Sequence, residues 1–428
     1  MKCNRTVQNA LWLISGKTAQ MGISLVVGVL TARYLGPSDY GLIHYAAAYT
    51  GFFASFCTLG INSVLVKELT DAPGEEGVIL GTSLFLRGIS SILSALVILC
   101  VVYLADGADK PALAVVGLSS LGMLLQIFDV FHCWFQARLR SKVTAAVLLA
   151  AYTVTAVYKT ALLLTGRSVL WFAFAGAVEQ LCAAVLLLMA YRRHGGGRLG
   201  ISRERGRLLL QKSCHFILPG LMVAVYAQTD KIMLKQLIGE AEIGYYSTAV
   251  SACNAWCFVL SAIIDSAYPA IARAHKREET LFRRRNRQLY ALVFYLSAGV
   301  SLLLCCCAGP LVTILYGKAY LPAAAPLRIL TWYTAFSYLG VARNAWVVCE
   351  NRQKYLIWVY GAAAVSNVLL NLLLIPRWGA SGAAAASLVA QVVTALIAPF
   401  LLKGLRENGK LMLDAILLRG VFGKGEGL

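Results

Sequence analysis

Charge is scarce in this 428-residue chain. Asp, Glu, Lys and Arg make up 14% of it and hydrophobic residues 59%, against roughly 25% and 45–50% in soluble domains, so a single water-soluble core is excluded. Acids are scarcer still, 20 against 39 Lys plus Arg, and there are only five His. No Walker A loop, glycine-rich nucleotide fingerprint or G-x-S-x-G elbow occurs, which argues against ATP hydrolysis by the chain alone. The 12 cysteines lie nearly all in or beside apolar runs, and none has a CxxC spacing with His. They read as small packing residues in a reducing setting, with no metal and no cofactor expected.

What the sequence does have is long apolar runs bounded by charge, Gly and Pro. They predict helices at about 9–32, 41–66, 79–104, 113–134, 143–165, 169–190, 214–238, 244–272, 288–315, 327–349, 355–375 and 380–402. The first run is longer than a signal-peptide core and is read as a retained span. With the N-terminus in the cytoplasm, 27 Lys plus Arg fall in inside segments and six in outside ones, the rest within spans, an imbalance that places both termini inside. The net charge of +19 is then an orientation signal with anionic lipid as its neighbour, and nucleic acid is not expected as a partner despite Arg283-Arg284-Arg285.

The turn Leu35-Gly36-Pro37-Ser38-Asp39-Tyr40-Gly41 is echoed 203 residues later by Ile238-Gly239-Glu240-Ala241-Glu242-Ile243-Gly244. Each copy joins the first and second helix of a six-helix half. An even helix count starts both halves on one side, a parallel repeat that points to a transporter with substrate held between halves. The fold expected is therefore an all-α integral membrane protein of about twelve helices in two parallel six-helix lobes. The divisions are 1–190 for the first lobe, 191–213 for a basic linker, 214–402 for the second lobe and 403–428 for a cytoplasmic tail. Gly195-Gly196-Gly197 among six arginines makes that linker read as flexible.

Ten ionisable residues fall within predicted spans, where each is a functional hypothesis by default. Lys235, Asp265 and Asp129 lie near helix ends, where snorkelling explains them. Lys17 and Arg87 lie about 12 Å in from the cytoplasmic face and Glu179 near mid-span, so they are candidates for a polar path, with Arg343 and Lys159 behind them. Asp230 and Lys231 fit either an ion pair with other helices or ligand contact. Cations outnumber acids six to four here, which suits an anionic substrate such as a diphosphate. A membrane-embedded glycosyltransferase or polymerase lacks support, because the longest outside segment, 316–326, contains no Asp, Glu or His.

Several stretches resemble a known family. Ala32-Arg33-Tyr34-Leu35-Gly36-Pro37-Ser38-Asp39-Tyr40-Gly41, Leu59-Gly60-Ile61 and Lys67-Glu68-Leu69 are similar to the N-terminal signature of polysaccharide-biosynthesis oligosaccharide flippases, relatives of the multidrug and toxin extrusion exporters. Trp134-Phe135-Gln136-Ala137 resembles the family's W-x-F-Q-G motif, with Ala137 a departure from its usual Gly. Asp230-Lys231-Ile232-Met233-Leu234 with Gly239 and Gly244-Tyr245-Tyr246 is similar to its D-[KR]-x-x-L…G-x-Y segment. Asn367, Asn371, Ile375-Pro376, Gly379 and Gly382-Ala383-Ala384 resemble its ending.

The resemblance implies a multi-pass protein of the bacterial inner membrane that moves an undecaprenyl-diphosphate-linked oligosaccharide to the outer leaflet. Its partners would be that lipid-linked sugar, membrane lipids, and polymerase or glycosyltransferase machinery. In this superfamily the first two helices of each lobe flank the cavity, so the resemblance puts Lys17, Arg33, Asp230 and Lys231 first among substrate-binding candidates, with Arg87, Glu179 and Arg343 behind. Arg33 fits a phosphate contact and an interfacial anchor equally. The alternative readings are a cation-coupled multidrug exporter and a non-transporting scaffold.

Overall fold

The computed structural model describes residues 5–107 and 109–421, with the side chains of 5–19 and 63 outside the description. Among the described residues every regular element is a helix. Eight helical stretches among the described residues are long and apolar enough to cross a membrane. Their apolar side chains also point outward: on the helix Glu76–Asp106, Ile92, Leu93, Leu96 and Leu104 are each more than half exposed, which a lipid solvent permits and water does not.

The chain divides into two compact units, 1–224 and 225–428. The first begins with α1 (Arg5–Thr58), which breaks at Gly36 (φ 75°, ψ 174°) just before Pro37. Left-handed Leu59 and Gly60 lead to α2 (Asn62–Asp71), α3 (Glu76–Asp106) and α4 (Lys110–Leu125). A short 3₁₀ segment leads into α5 (Val130–Ala137), followed by α6 (Ser141–Leu164) and α7 (Val169–Arg193). Small residues let these helices close up: a Cβ on Gly122 of α4 would sit 3.4 Å from the backbone of Gly176 on α7. At one end of the unit, Ile61, Leu65, Ile79, Phe131, Trp134 and Tyr191 form a core.

α8 (Arg203–Leu237) ends in the second unit. There follow α9 (Glu240–Asn254), α10 (Cys257–Arg277), α11 (Glu279–Tyr316), α12 (Ala324–Cys349), α13 (Leu356–Val392), α14 (Ala398–Leu401) and α15 (Arg406–Ile416). A π-helical turn, Val393–Ile397, joins α13 to α14. Within α13 the backbone breaks at Gly379 (φ 54°, ψ −132°). The unit's core gathers Leu260, Tyr290, Val293, Leu339, Trp346, Val359 and Met412.

Each predicted apolar segment falls in helical structure, with two interruptions. The segment predicted at 41–66 is broken at 59–61, and that at 244–272 at 255–256. The linker is the larger correction. Only 194–202 is non-helical, and it is not free: Gly200 N donates to Gly77 O (3.2 Å) and Ser202 N to Thr82 Oγ1 (3.0 Å). A Cβ on Gly77 or Gly81 would overlap the carbonyl oxygens of Arg198 and Gly200, so α3 offers a glycine-lined groove in which the segment lies. Arg205 pairs with Glu75 (2.6 Å) and Lys212 with Glu68 (2.6 Å). Glycine content suggested freedom; partners more than a hundred residues upstream remove it. The tail is likewise helical in part, since α15 packs on α11 and buries Asn408, Leu411, Met412 and Ala415.

Candidate functional site

In the second unit the polar groups converge on one acid. Asp230 of α8 is 2% exposed, and a bare carboxylate in such a place is costly unless its oxygens are satisfied. Asn367 Nδ2 and Asn371 Nδ2 donate to its Oδ1 at 2.9 and 2.6 Å. The hydroxyls of Tyr246 and Ser387 donate to Oδ2 and lie 3.1 Å from one another.

The helical spacing of the asparagines, four residues apart, puts both on one face. Asn371 and Ser387 are sixteen residues apart, about 24 Å along a straight helix, yet both reach one carboxylate. The break at Gly379 explains this by folding α13 back on itself. Gly379 adopts a left-handed φ of 54°, and a Cβ there would overlap the carboxylate of Glu242. That same carboxylate accepts the N–H of Ala380 (2.6 Å), capping the returning limb at its electropositive end. The second copy of the repeated turn thus clamps the hairpin that completes the Asp230 site.

Six side-chain oxygens meet here, from Asp230, Asn367, Asn371, Tyr246 and Ser387, and Asn371 Oδ1 is buried without a partner. Two amide N–H groups and two hydroxyls donate to the carboxylate, which satisfies a buried negative charge without a second ion. Beside the site opens a cavity of about 250 Å³ lined by Tyr226, Gln228, Lys231, Asn254 and Tyr333. Lys231 Nζ donates to Gln228 Oε1 (3.3 Å), so Asp230 and Lys231, adjacent in sequence, divide between an enclosed acid and a cation on the cavity wall.

Arg343 is also in the second unit, 1% exposed. Its Nη1 donates to Thr394 O (2.7 Å), a carbonyl of the π-helical turn, and Tyr360 is a further partner. It holds that irregular backbone in place rather than lining the cavity.

In the first unit Arg87 is equally enclosed. It donates to Asn62 Oδ1 (3.0 Å) and Gln126 O (3.2 Å), tying α2 and the 3₁₀ segment to α3. Glu179 of α7 is half-buried and interacts with Lys159 and Tyr152 of α6; Tyr152 in turn bonds Ser24 of α1. Arg33 is exposed near the end of α1's first limb, where neighbouring Tyr34 donates to Arg167 O (3.1 Å). The side chain of Lys17 lies outside the described residues. Among those residues, no group of three His, Cys, Asp or Glu is placed to hold a metal ion.

The Trp134 motif has a structural explanation. Trp134 Nε1 donates to Glu76 (2.7 Å), which also pairs with Arg138 (2.7 Å), and the Arg138 guanidinium stacks on the Trp134 ring at 4.2 Å. That lock joins α5 to the start of α3. Sequence reasoning noted Asn367 and Asn371 without placing them in the site, although two amides on one face of an apolar helix are a polar cost that asks for a partner. Tyr246 and Ser387 carried no such signal.

Residues 6–275 match the model of a family described as polysaccharide biosynthesis protein. No curated protein matches the chain. Among solved structures, lipid II flippase MurJ in an inward closed conformation aligns with TM-score 0.71 and 14% identity, over 96% of this chain and 92% of that one. An inward-facing multidrug resistance MATE transporter of the MOP superfamily aligns with TM-score 0.69 and 13% identity, over 94% and 96%. A MOP superfamily transporter from Pyrococcus furiosus Vc1 aligns with 0.66 and 13%, over 96% of each chain.

Proposed function

Because the chain belongs to the polysaccharide biosynthesis protein family, we propose that this membrane transporter is a flippase for an undecaprenyl-diphosphate-linked oligosaccharide, working by alternating access in the bacterial cytoplasmic membrane. The family match over 6–275 carries the reading, and the shared fold with a lipid II flippase supports it. The chemistry agrees. A diphosphate leaving water needs cations to replace its hydration, and Lys231 stands on the wall of a cavity that also offers two tyrosines and two amides to sugar hydroxyls. Lys17, Arg33 and Glu179 are the first-unit residues proposed to contact the substrate, with Arg87 and Arg343 as positioning residues.

In this reading the chain forms twelve spans in two lobes of six, 1–190 and 214–402, with both termini in the cytoplasm. Polymerase and glycosyltransferase machinery would consume and supply its cargo. The test is transfer in proteoliposomes: undecaprenyl-diphosphate oligosaccharide placed on one leaflet becomes accessible to an impermeant probe on the other, and Lys231→Ala with Lys17→Ala lowers the rate at least tenfold while insertion is retained. Unchanged transfer in the double variant would remove the cationic path.

Asp230 favours one competing reading, a cation-coupled exporter of small organic cations, since it is a buried acid at the edge of the cavity. That reading requires gradient-driven export of a cationic dye that stops in Asp230→Asn and survives Lys231→Ala.

A further inference from the structure

The first turns of α11 carry Arg283, Arg284, Arg285 and Arg287, and the structure uses only half of them. Arg283 pairs with Glu279 on its own helix and with Glu407 of α15 (2.9 Å). Arg287 points at the backbone after α15, its Nη1 3.5 Å from Arg419 O. These two, with Asn408 Nδ2 donating to Tyr290 OH (2.7 Å), fasten α15 against α11. Arg284 and Arg285 have no carboxylate in ion-pair range among the described residues.

What lies below them identifies their partner. Positions 285, 288, 292, 295 and 302 share one helical face. Leu292, Tyr295 and Leu302 on that face are 52%, 44% and 59% exposed, which in a membrane segment means contact with acyl chains. Two turns, about 10 Å, separate Leu292 from Arg285, so the arginine falls where the apolar stripe gives way to headgroups. α15 borders the same stripe, since Tyr295 OH donates to Ile416 O (2.7 Å). Its outward side combines exposed Lys410 with Leu413 and Leu417, 40% and 50% exposed, the pattern of a helix lying at a membrane interface.

We propose that Arg284 and Arg285, with Lys410 adding positive charge on the adjoining α15, form a binding site for the headgroup of an anionic phospholipid, whose chains lie along Leu292, Tyr295 and Leu417. A phosphate there finds two arginines with no carboxylate of their own, since the neighbouring Glu279 and Glu407 are both paired with Arg283, and a second negative charge on the lipid adds to the attraction. The site lies apart from the Asp230 cavity and does not depend on what that cavity carries.

The experiment uses the purified full-length protein in detergent, titrated with dioleoylphosphatidylglycerol or dioleoylphosphatidylcholine and read by native mass spectrometry. Wild type binds the glycerol lipid more tightly. Arg284→Gln with Arg285→Gln weakens that binding roughly thirty-fold, about fivefold per charge, and leaves phosphatidylcholine binding as it was. Neither arginine has a protein carboxylate to lose, so the double variant keeps its helical circular dichroism. Lys318→Gln with Arg328→Gln removes two exposed charges elsewhere and serves as the control. Equal binding of the two lipids by wild type, or an equal loss in the control variant, would overturn the site in favour of general charge attraction.

Discussion

Asp230 shows how a single side chain can organise a membrane protein interior. Four neutral donors from α9 and both limbs of α13 converge on it, and each hydrogen bond to a charged group contributes about 1.5–3 kcal/mol. Asn371→Ala deletes one such bond and the bond to Asn367 Oδ1 (3.1 Å). It should lower the stability of the detergent-solubilised protein by about 2–4 kcal/mol, seen as a lower midpoint in thermal unfolding. Tyr246→Phe removes one donor to the same carboxylate and should show the smaller loss.

At the scale of the element, the broken helix α13 depends on two residues with distinct roles. Glu242 caps the returning limb, so Glu242→Gln should cost about 0.5–2 kcal/mol. Gly379→Ala places a Cβ in a left-handed backbone and against that carboxylate, so its loss should be the larger in the same thermal assay. The docked linker gives a pH prediction. The Arg205 guanidinium beside Glu75 holds its carboxyl below the usual glutamate range. A lowered folded-state value means the pair's stabilisation is fully present above the ordinary glutamate range and fades as pH falls through the lowered value. Hydrogen exchange of 196–202 should accordingly speed up, beyond the intrinsic pH effect, on acidification below about pH 4.5, and Glu75→Gln should show the faster exchange at neutral pH.

Helical structure was legible at this scale because apolar length and charged boundaries are local properties. The turn at Gly379 was legible too, since Pro376 and Gly379 separate the segments predicted at 355–375 and 380–402. What stayed hidden was the break at Ala255–Trp256, where α9 and α10 part with neither Gly nor Pro to mark it. The site was half legible for the same reason. Asp230 and Lys231 announced themselves as charges in an apolar run, whereas Ser387 and Tyr246 look like ordinary residues until the fold delivers them. Arg87 and Arg343 announced themselves equally loudly, and each spends one bond on a backbone carbonyl, of Gln126 and Thr394, that no periodicity reveals.

For the whole molecule, the asymmetry of 27 Lys plus Arg against six makes orientation the property to test. If both termini are cytoplasmic, green fluorescent protein fused after Leu428 should fluoresce in intact cells. Alkaline phosphatase fused after Lys318 should be active, and the reverse pattern would invert the topology and with it the direction of cargo movement. Among the described residues, eight helices long and apolar enough to cross a membrane, with apolar side chains turned outward, suit the protein to a bilayer.

The five residues of the Asp230 site also bear on how this protein can change over generations. The family match ends at 275, yet Asn367, Asn371 and Ser387 lie well beyond it. A substitution at 230 alone would strand four donors, and one at 371 alone would strand an oxygen. Lineages should therefore exchange these positions together or not at all, and comparison of relatives should find 230, 246, 367, 371 and 387 varying as a block.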